Sequence, residues 1–137
     1  MNTRLVAYGC AGLAIAGAVG WTLVSGDGDG AREPDLAALI VPDLTSEQEA
    51  GRVLFDANCA TCHGPNASGS DHGPPLVHRI YEPSHHGDMA FLLAARQGVR
   101  AHHWRFGNMP AIDGVSEDEV VQITAYVRAL QRANGIN

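Results

Sequence analysis

The sequence predicts an all-α domain with long loops. Capping signals followed by apolar residues mark three helices in the second two thirds of the chain. The segments between them are rich in glycine, proline, asparagine and serine, and no alternation of period two is long enough for a sheet. Together these observations favour helices joined by irregular chain over a fold that contains strands.

The first and last helices have the clearest predicted boundaries. Residues 45–49 offer overlapping capping boxes for a first helix that ends near Asn58. Ser116 and Glu119 give the same signal at the start of the last helix. Its apolar residues recur at helical spacing before a terminating glycine: Val120, Ile123, Val127, Leu130, Gly135. We expect this to be the most clearly amphipathic helix.

A short middle helix is predicted between the other two. Asp88 is expected to cap it, and Gly98 suits the left-handed position that ends a helix. Met89 lies within the apolar stretch of this helix, which favours a role as core filler. We expect the helix to be buried along one side.

Length and charge limit the possible functions. The 137 residues allow one modest domain, of which about ninety residues remain once an apolar N-terminal stretch and a linker are set aside. A core of that size gains from a bound apolar group that the helices can pack against. The net charge of −6, with arginine but no lysine, argues against a nucleic-acid partner.

The N-terminal segment, residues 1–25, predicts a membrane anchor or a signal peptide. Its uncharged apolar run is just long enough to span a bilayer. Arg4 precedes the run and acidic residues follow it, which favours an anchor in the cytoplasmic membrane with the folded domain on the periplasmic side. Residues 16–18 resemble a signal-peptidase site, so a soluble periplasmic protein is the alternative. A glycine-rich, flexible linker is predicted over residues 26–44.

Cys59, Cys62 and His63 form the most specific chemical signal in the chain. The pattern Cys-x-x-Cys-His is typical of c-type haem attachment, in which both thiols add to vinyl groups and the histidine ligates the iron. A thioredoxin-like pair would need a βαβ context, and a zinc site would need a second ligand pair. The third cysteine, Cys10, lies in the apolar N-terminal segment. One covalently bound haem c is therefore predicted in the domain at residues 45–137.

Met109 is the predicted second axial ligand, because Pro110 keeps it in an extended conformation. A thioether raises the reduction potential and fills the last coordination position, which favours electron transfer over oxygen or peroxide chemistry. Six further histidines lie between the two predicted ligands: His72, His78, His85, His86, His102, His103. We expect several of them to be surface or hydrogen-bonding residues. The alternatives for this group are replacement of Met109 as axial ligand, copper or zinc binding, and a pH-sensitive docking face.

With these motifs, the domain resembles a class I c-type cytochrome. The resemblance extends to Gly73-Pro74-Pro75-Leu76, because a Gly-Pro-x-Leu segment follows the attachment site in that family. It implies that the Pro74 carbonyl accepts the Nδ1 proton of His63 and that Leu76 packs on the haem. It also implies the class I fold, in which several helices wrap around one haem.

The resemblance implies two further contacts. In the family the first and last helices cross at a glycine and an aromatic residue, which have counterparts here: Gly51, Phe55, Ile123, Tyr126. Trp104 and Arg105 lie just before the methionine loop, where such proteins often place groups near the haem propionates. Core packing for Trp104 and simple solvation for Arg105 are the alternatives.

The implied function is the transfer of single electrons, with no enzymatic activity and no small-molecule substrate of its own. We expect membrane-bound redox proteins of a respiratory or photosynthetic chain as electron donor and acceptor. The arginines and histidines of residues 78–105 predict a docking face that attracts acidic partners. A fixed relay subunit of a larger membrane oxidoreductase, a haem sensor and a copper-linked redox protein are the alternatives.

Overall fold

The computed structural model describes residues 39–137, so the predicted N-terminal segment and most of the predicted linker lie outside the described residues. The described part contains four α-helices: α1 (Ser46–Asn58), α2 (Ala60–His63), α3 (Asp88–Gln97), α4 (Glu117–Ala133). Two short 3-10 helices also occur: Pro65–Ala67, Arg79–Tyr81. Two isolated bridges but no strands form within this part, which confirms the predicted all-α fold with long loops. None of these helices is long and apolar enough to cross a bilayer.

The crossing of α1 and α4 forms the centre of the core. Phe55 and Tyr126 are fully buried, and their ring centroids lie 5.6 Å apart. Gly51 lies where the two helices approach most closely, because a Cβ there would come within 2.0 Å of the carbonyl oxygen of Gln122. Ile123 belongs to the same cluster. The crossing implied by the resemblance is therefore confirmed.

Both long helices begin at the predicted caps. Thr45 Oγ1 accepts from the backbone N–H of Gln48, whose side chain accepts from the backbone N–H of Thr45. Ser116 and Glu119 make the same reciprocal pair at the start of α4. Each pair satisfies two backbone donors that the helix itself leaves without partners, and so fixes where the helix starts.

Helix α3 departs from the prediction in three respects. Its N-cap is Gly87, and Asp88 makes no capping hydrogen bond. The Asp88 carboxylate instead accepts from Arg128 at 2.8 Å. Met89 is 62% exposed, so its predicted role as core filler is wrong. No residue of α3 is fully buried. Phe91 packs against the core cluster, but it also lines a cavity.

Residues 39–44, the described end of the predicted linker, contact the C-terminal end of the domain. The backbone N–H of Ile40 donates to Asn134 Oδ1 at 2.9 Å, and the Asn134 side-chain amide donates to the Ile40 carbonyl at 2.8 Å. Leu39 and Leu44 pack against the core. The segment forms no helix, and these contacts hold it beside the end of α4.

Arg128 connects α4 to the loop that precedes α3. Its side chain is buried and donates to the Asp88 carboxylate and to the backbone carbonyls of Tyr81 and His86. The guanidinium carbon also lies 4.9 Å from the centre of the Phe91 ring. A planar guanidinium carries five donors in fixed directions. One side chain can therefore satisfy several carbonyls of an irregular loop and fix its course.

We expect Gly51→Ala to lower the free energy of unfolding by about 2 kcal/mol, because the new methyl group forces the backbones of α1 and α4 apart. This loss exceeds the gain of about 1 kcal/mol in helix propensity. Denaturant unfolding of the purified protein, followed by circular dichroism, measures the change. Ala50→Ser, at an exposed position of the same helix, is the control. Equal stability of Gly51→Ala and the parent protein would contradict the close approach.

We expect Arg128→Leu to lower the free energy of unfolding by about 3 kcal/mol, because buried carbonyl groups lose their donor. Arg132→Leu removes the same charge from an exposed position of the same helix and is the matched control, with an expected change below about 0.5 kcal/mol. Thermal unfolding of both variants measures the difference. Similar melting temperatures for the two variants would show that the Arg128 contacts contribute little.

Candidate functional site

One cavity collects the predicted site residues. It has a volume of about 410 Å³, and its wall is formed mainly by apolar residues of α1, α3, α4 and the chain between α3 and α4. All six side chains proposed from the sequence line it: Cys59, Cys62, His63, Pro74, Leu76, Met109. Residues that are up to fifty positions apart in the sequence therefore share one site.

The tight turn of α2 carries both thiols to the cavity wall. Helix α1 ends at Asn58 with Cys59 as its C-cap, and the Cys62 backbone N–H donates to the Cys59 carbonyl at 3.1 Å. Neither cysteine forms a disulfide. Burial, with a smaller contribution from Cys62, raises the pKa of Cys59 to about 11. This thiol is therefore protonated at neutral pH.

The ring of His63 is oriented by a backbone carbonyl. Its Nδ1 lies 2.9 Å from the carbonyl oxygen of Pro74, which is the contact that the resemblance implies. With the Nδ1 proton donated to that carbonyl, Nε2 keeps a free lone pair. Burial lowers the pKa of His63, although the contact with Pro74 acts in the opposite direction. The neutral imidazole, the form that ligates a metal, is thereby favoured.

A two-hydrogen-bond bridge holds the backbone of Met109. The Val99 N–H donates to the Met109 carbonyl at 2.9 Å, and the Met109 N–H donates to the Val99 carbonyl at 3.0 Å. Gly98, which ends α3 with a φ of 73°, lies directly beside this bridge, since a Cβ there would come 2.5 Å from the Met109 carbonyl oxygen. Gly98 was predicted only as a helix terminator, but it also leaves room for Met109.

Trp104 lines the cavity and contains a buried donor. Among the described side chains, its Nε1 is the buried polar atom that lacks a hydrogen-bond partner. The Tyr81 side chain lies close enough to interact with the indole, but no acceptor stands in hydrogen-bond geometry. Leaving a buried donor without an acceptor costs free energy. An acidic group of a ligand in this cavity would satisfy it, in line with the implied position of Trp104.

These observations together fit a c-type haem. The turn of α2 supplies two thiols for two thioether bonds, and the imidazole of His63 and the sulfur of Met109 are neutral ligands that suit haem iron. The apolar wall suits the macrocycle. The unpaired indole N–H of Trp104 suits a propionate. No charged side chain is buried among these donors on the cavity wall.

Two residues that support the site were missed in the sequence. The role of Arg128 could have been inferred from its spacing in α4. It lies in a stripe of residues at helical spacing that are all buried: Thr124, Val127, Arg128, Gln131. A charged residue on a buried face is a candidate for a structural hydrogen-bond network. Val99 had no such signal, because its role depends on a backbone bridge that no local pattern encodes.

Four of the six other histidines form a group: His85, His86, His102, His103. All of them but His85 line the cavity. Loss of solvation, followed by the charges of its neighbours in this group, lowers the pKa of His103. His78 packs against Trp104, with ring centroids 5.0 Å apart. His72 is exposed and lies outside the group.

Comparison with known protein families gives a match to the sequence model described as Cytochrome c, over residues 48–131. The matched span covers more than half of the chain, runs from α1 into α4, and contains all six predicted site residues. Comparison with curated proteins and with solved structures gives no match.

Proposed function

Since the chain belongs to the cytochrome c family and so carries electrons through a covalently attached haem c, we propose that it shuttles them between membrane-bound partners of a respiratory or photosynthetic chain. The cavity is assigned as the haem site because two thiols, an imidazole and a thioether all line it. When bound, the haem iron takes up and releases one electron at a time by cycling between its ferric and ferrous states.

The side chains of the cavity have distinct proposed roles. Each thiol of Cys59 and Cys62 would add its S–H across the double bond of one vinyl group, so that sulfur bonds to one carbon, hydrogen goes to the other, and the double bond becomes single. His63 offers Nε2 to the iron, because the Pro74 carbonyl holds the proton at Nδ1. Met109, whose backbone is held by its bridge to Val99, would offer its sulfur to the iron.

A methionine in the last coordination position supports transport of electrons over catalysis. If His63 and Met109 both bind the iron, no position would remain open for oxygen or peroxide. The thioether also stabilises the ferrous state, which raises the reduction potential. Residues 100–103 and 105–108, beside the cavity, are exposed, so the edge of a haem in this cavity would lie near the surface and accessible to partners.

The proposed docking face surrounds this edge. Arg100 and Arg105 are exposed and lie on the chain that leads to Met109. Positive charge beside the site of electron exchange attracts acidic partners and speeds their association. In the cell we propose that residues 1–25 anchor the protein in the cytoplasmic membrane, with the haem domain on the periplasmic side. Such a tether raises the effective concentration of membrane-bound partners.

We expect Met109→Ala to abolish the weak far-red absorption band of iron bonded to methionine sulfur and to lower the reduction potential, because the thioether no longer stabilises ferrous iron. Absorption spectroscopy of the oxidised protein and a spectroscopic redox titration measure the two effects. Met89→Ala is the matched control, since this second methionine of the domain is 62% exposed. A far-red band that persists in Met109→Ala would assign the ligand to another residue.

We expect Arg100→Glu/Arg105→Glu to slow oxidation of the reduced protein by ferricyanide about ten-fold at low ionic strength, because the anionic probe loses its electrostatic attraction. The cationic oxidant tris(phenanthroline)cobalt(III) should react faster with the same variant. Stopped-flow absorption at several salt concentrations measures both rates, and added salt should reduce the difference.

Arg132→Glu is the control for these rates, because Arg132 is exposed near the end of α4 and outside the proposed docking face. It changes the net charge by the same amount per residue. If Arg132→Glu changed the logarithm of each rate by about half as much as the double variant does, only the total charge of the protein would matter. The proposed docking face would then be wrong.

A further inference from the structure

Three histidine side chains converge outside the proposed iron ligands. One ligand nitrogen from each of His85, His86 and His103 lies within 4.8 Å of the other two. The Nε2 atoms of His85 and His103 are 3.4 Å apart. Two nitrogens bound to one tetrahedral ion at bond lengths of about 2.0–2.1 Å are separated by about 3.4 Å. This pair therefore already has the spacing of one edge of a tetrahedral metal site.

The tautomer of His86 is set for ligation. Its Nδ1 lies 2.6 Å from the backbone carbonyl oxygen of Ile80, so this nitrogen carries the proton and donates it. The Nε2 atom is left with a free lone pair. Histidines that bind metals commonly donate their other ring proton to a carbonyl, because this contact fixes the ring and makes the ligand nitrogen more basic.

The two loops that carry the three histidines are both held by hydrogen bonds. The backbone N–H groups of His85 and His86 both donate to the Glu82 carbonyl, and Arg128 donates to the His86 carbonyl. His103 comes from a separate loop, which the bridge between residues 99 and 109 closes. Binding would therefore require little ordering of the backbone, which lowers its entropic cost.

A simple hydrogen bond between His85 and His103 would account for their 3.4 Å separation, but it does not account for the third ring. Both of these side chains are exposed, and an exposed hydrogen bond between two imidazoles competes with water for little net gain. Three converging imidazoles without a carboxylate in the group are a donor set that suits copper and zinc.

We propose that His85, His86 and His103 together bind one divalent late transition-metal ion, Cu²⁺ in preference to Zn²⁺, at the rim of the haem cavity. The preference follows from the general order of affinities, in which Cu²⁺ exceeds Zn²⁺ for a given set of nitrogen ligands. Three protein ligands leave a position for water. The site uses none of the residues proposed to hold the haem, so it does not depend on that assignment.

The test is a titration of the haem-loaded, tag-free protein with Cu²⁺ in competition with a chelator of known affinity, followed by electron paramagnetic resonance. We expect one Cu²⁺ per chain with hyperfine splitting from nitrogen ligands. The double variant His85→Ala/His103→Ala should bind at least ten-fold more weakly. Both positions are exposed, so the fold should tolerate the change. His72→Ala, which removes an exposed histidine outside the group, should bind as the parent protein does.

Equal affinity of the double variant and the parent protein would overturn the proposal, as would an equal loss in His72→Ala or a copper signal without nitrogen coupling. The far-red band, recorded on the same samples before and after copper is added, separates this site from the haem ligation. If the band is absent from the start and copper binds as expected, Met109 is not the axial ligand but the histidine site stands. If the band is present and copper does not bind, Met109 remains the ligand and the histidine site is wrong.

Discussion

The close approach of α1 and α4 is the constraint on which the rest of the domain depends. Because Gly51 has no side chain, the two helices can cross nearly at backbone contact, and Phe55 and Tyr126 then pack against each other within the core, with their ring planes tilted by 59°. The direction of α1 is fixed by this crossing. Its last residue, Asn58, leads directly into the turn that carries the thiols and the imidazole, so the position of the attachment site follows from a packing contact two helical turns away.

The polypeptide alone forms only a small apolar core, and the haem completes it. Its fully buried apolar residues are few and belong mainly to α1, α4 and the segment at Leu76 and Val77. Helix α3 adds no fully buried residue, and Phe91 turns toward the cavity. In a domain of this size, a covalently held macrocycle provides the apolar surface that a larger protein would obtain from further helices.

Features that depend on residues close together in the sequence could be predicted, whereas features that depend on contacts between distant residues could not. The capping boxes at Thr45 and Ser116 and the attachment motif depend on residues a few positions apart, so the sequence displays them directly. Asp88 and Met89 were misassigned because their roles depend on what lies opposite them: Arg128 attracts the carboxylate away from a capping position, and no element covers the methionine. The convergence of histidines from two loops was equally invisible, since spacing alone cannot show which rings meet.

The loop between Val99 and Met109 links the two proposed metal sites physically. Its closing bridge fixes the backbone of Met109, and the same loop carries His103 to the histidines that precede α3. A ligand that holds this loop in one position favours that position for every residue on it. Binding at one site therefore raises the affinity of the other site, and the effect is equal in both directions. Ligation at Met109 would thus help to organise the histidine group, and an ion among the histidines would help to keep Met109 in place. The buried Arg128 completes this arrangement, because it fixes the opposite side of the histidine group through the carbonyl of His86.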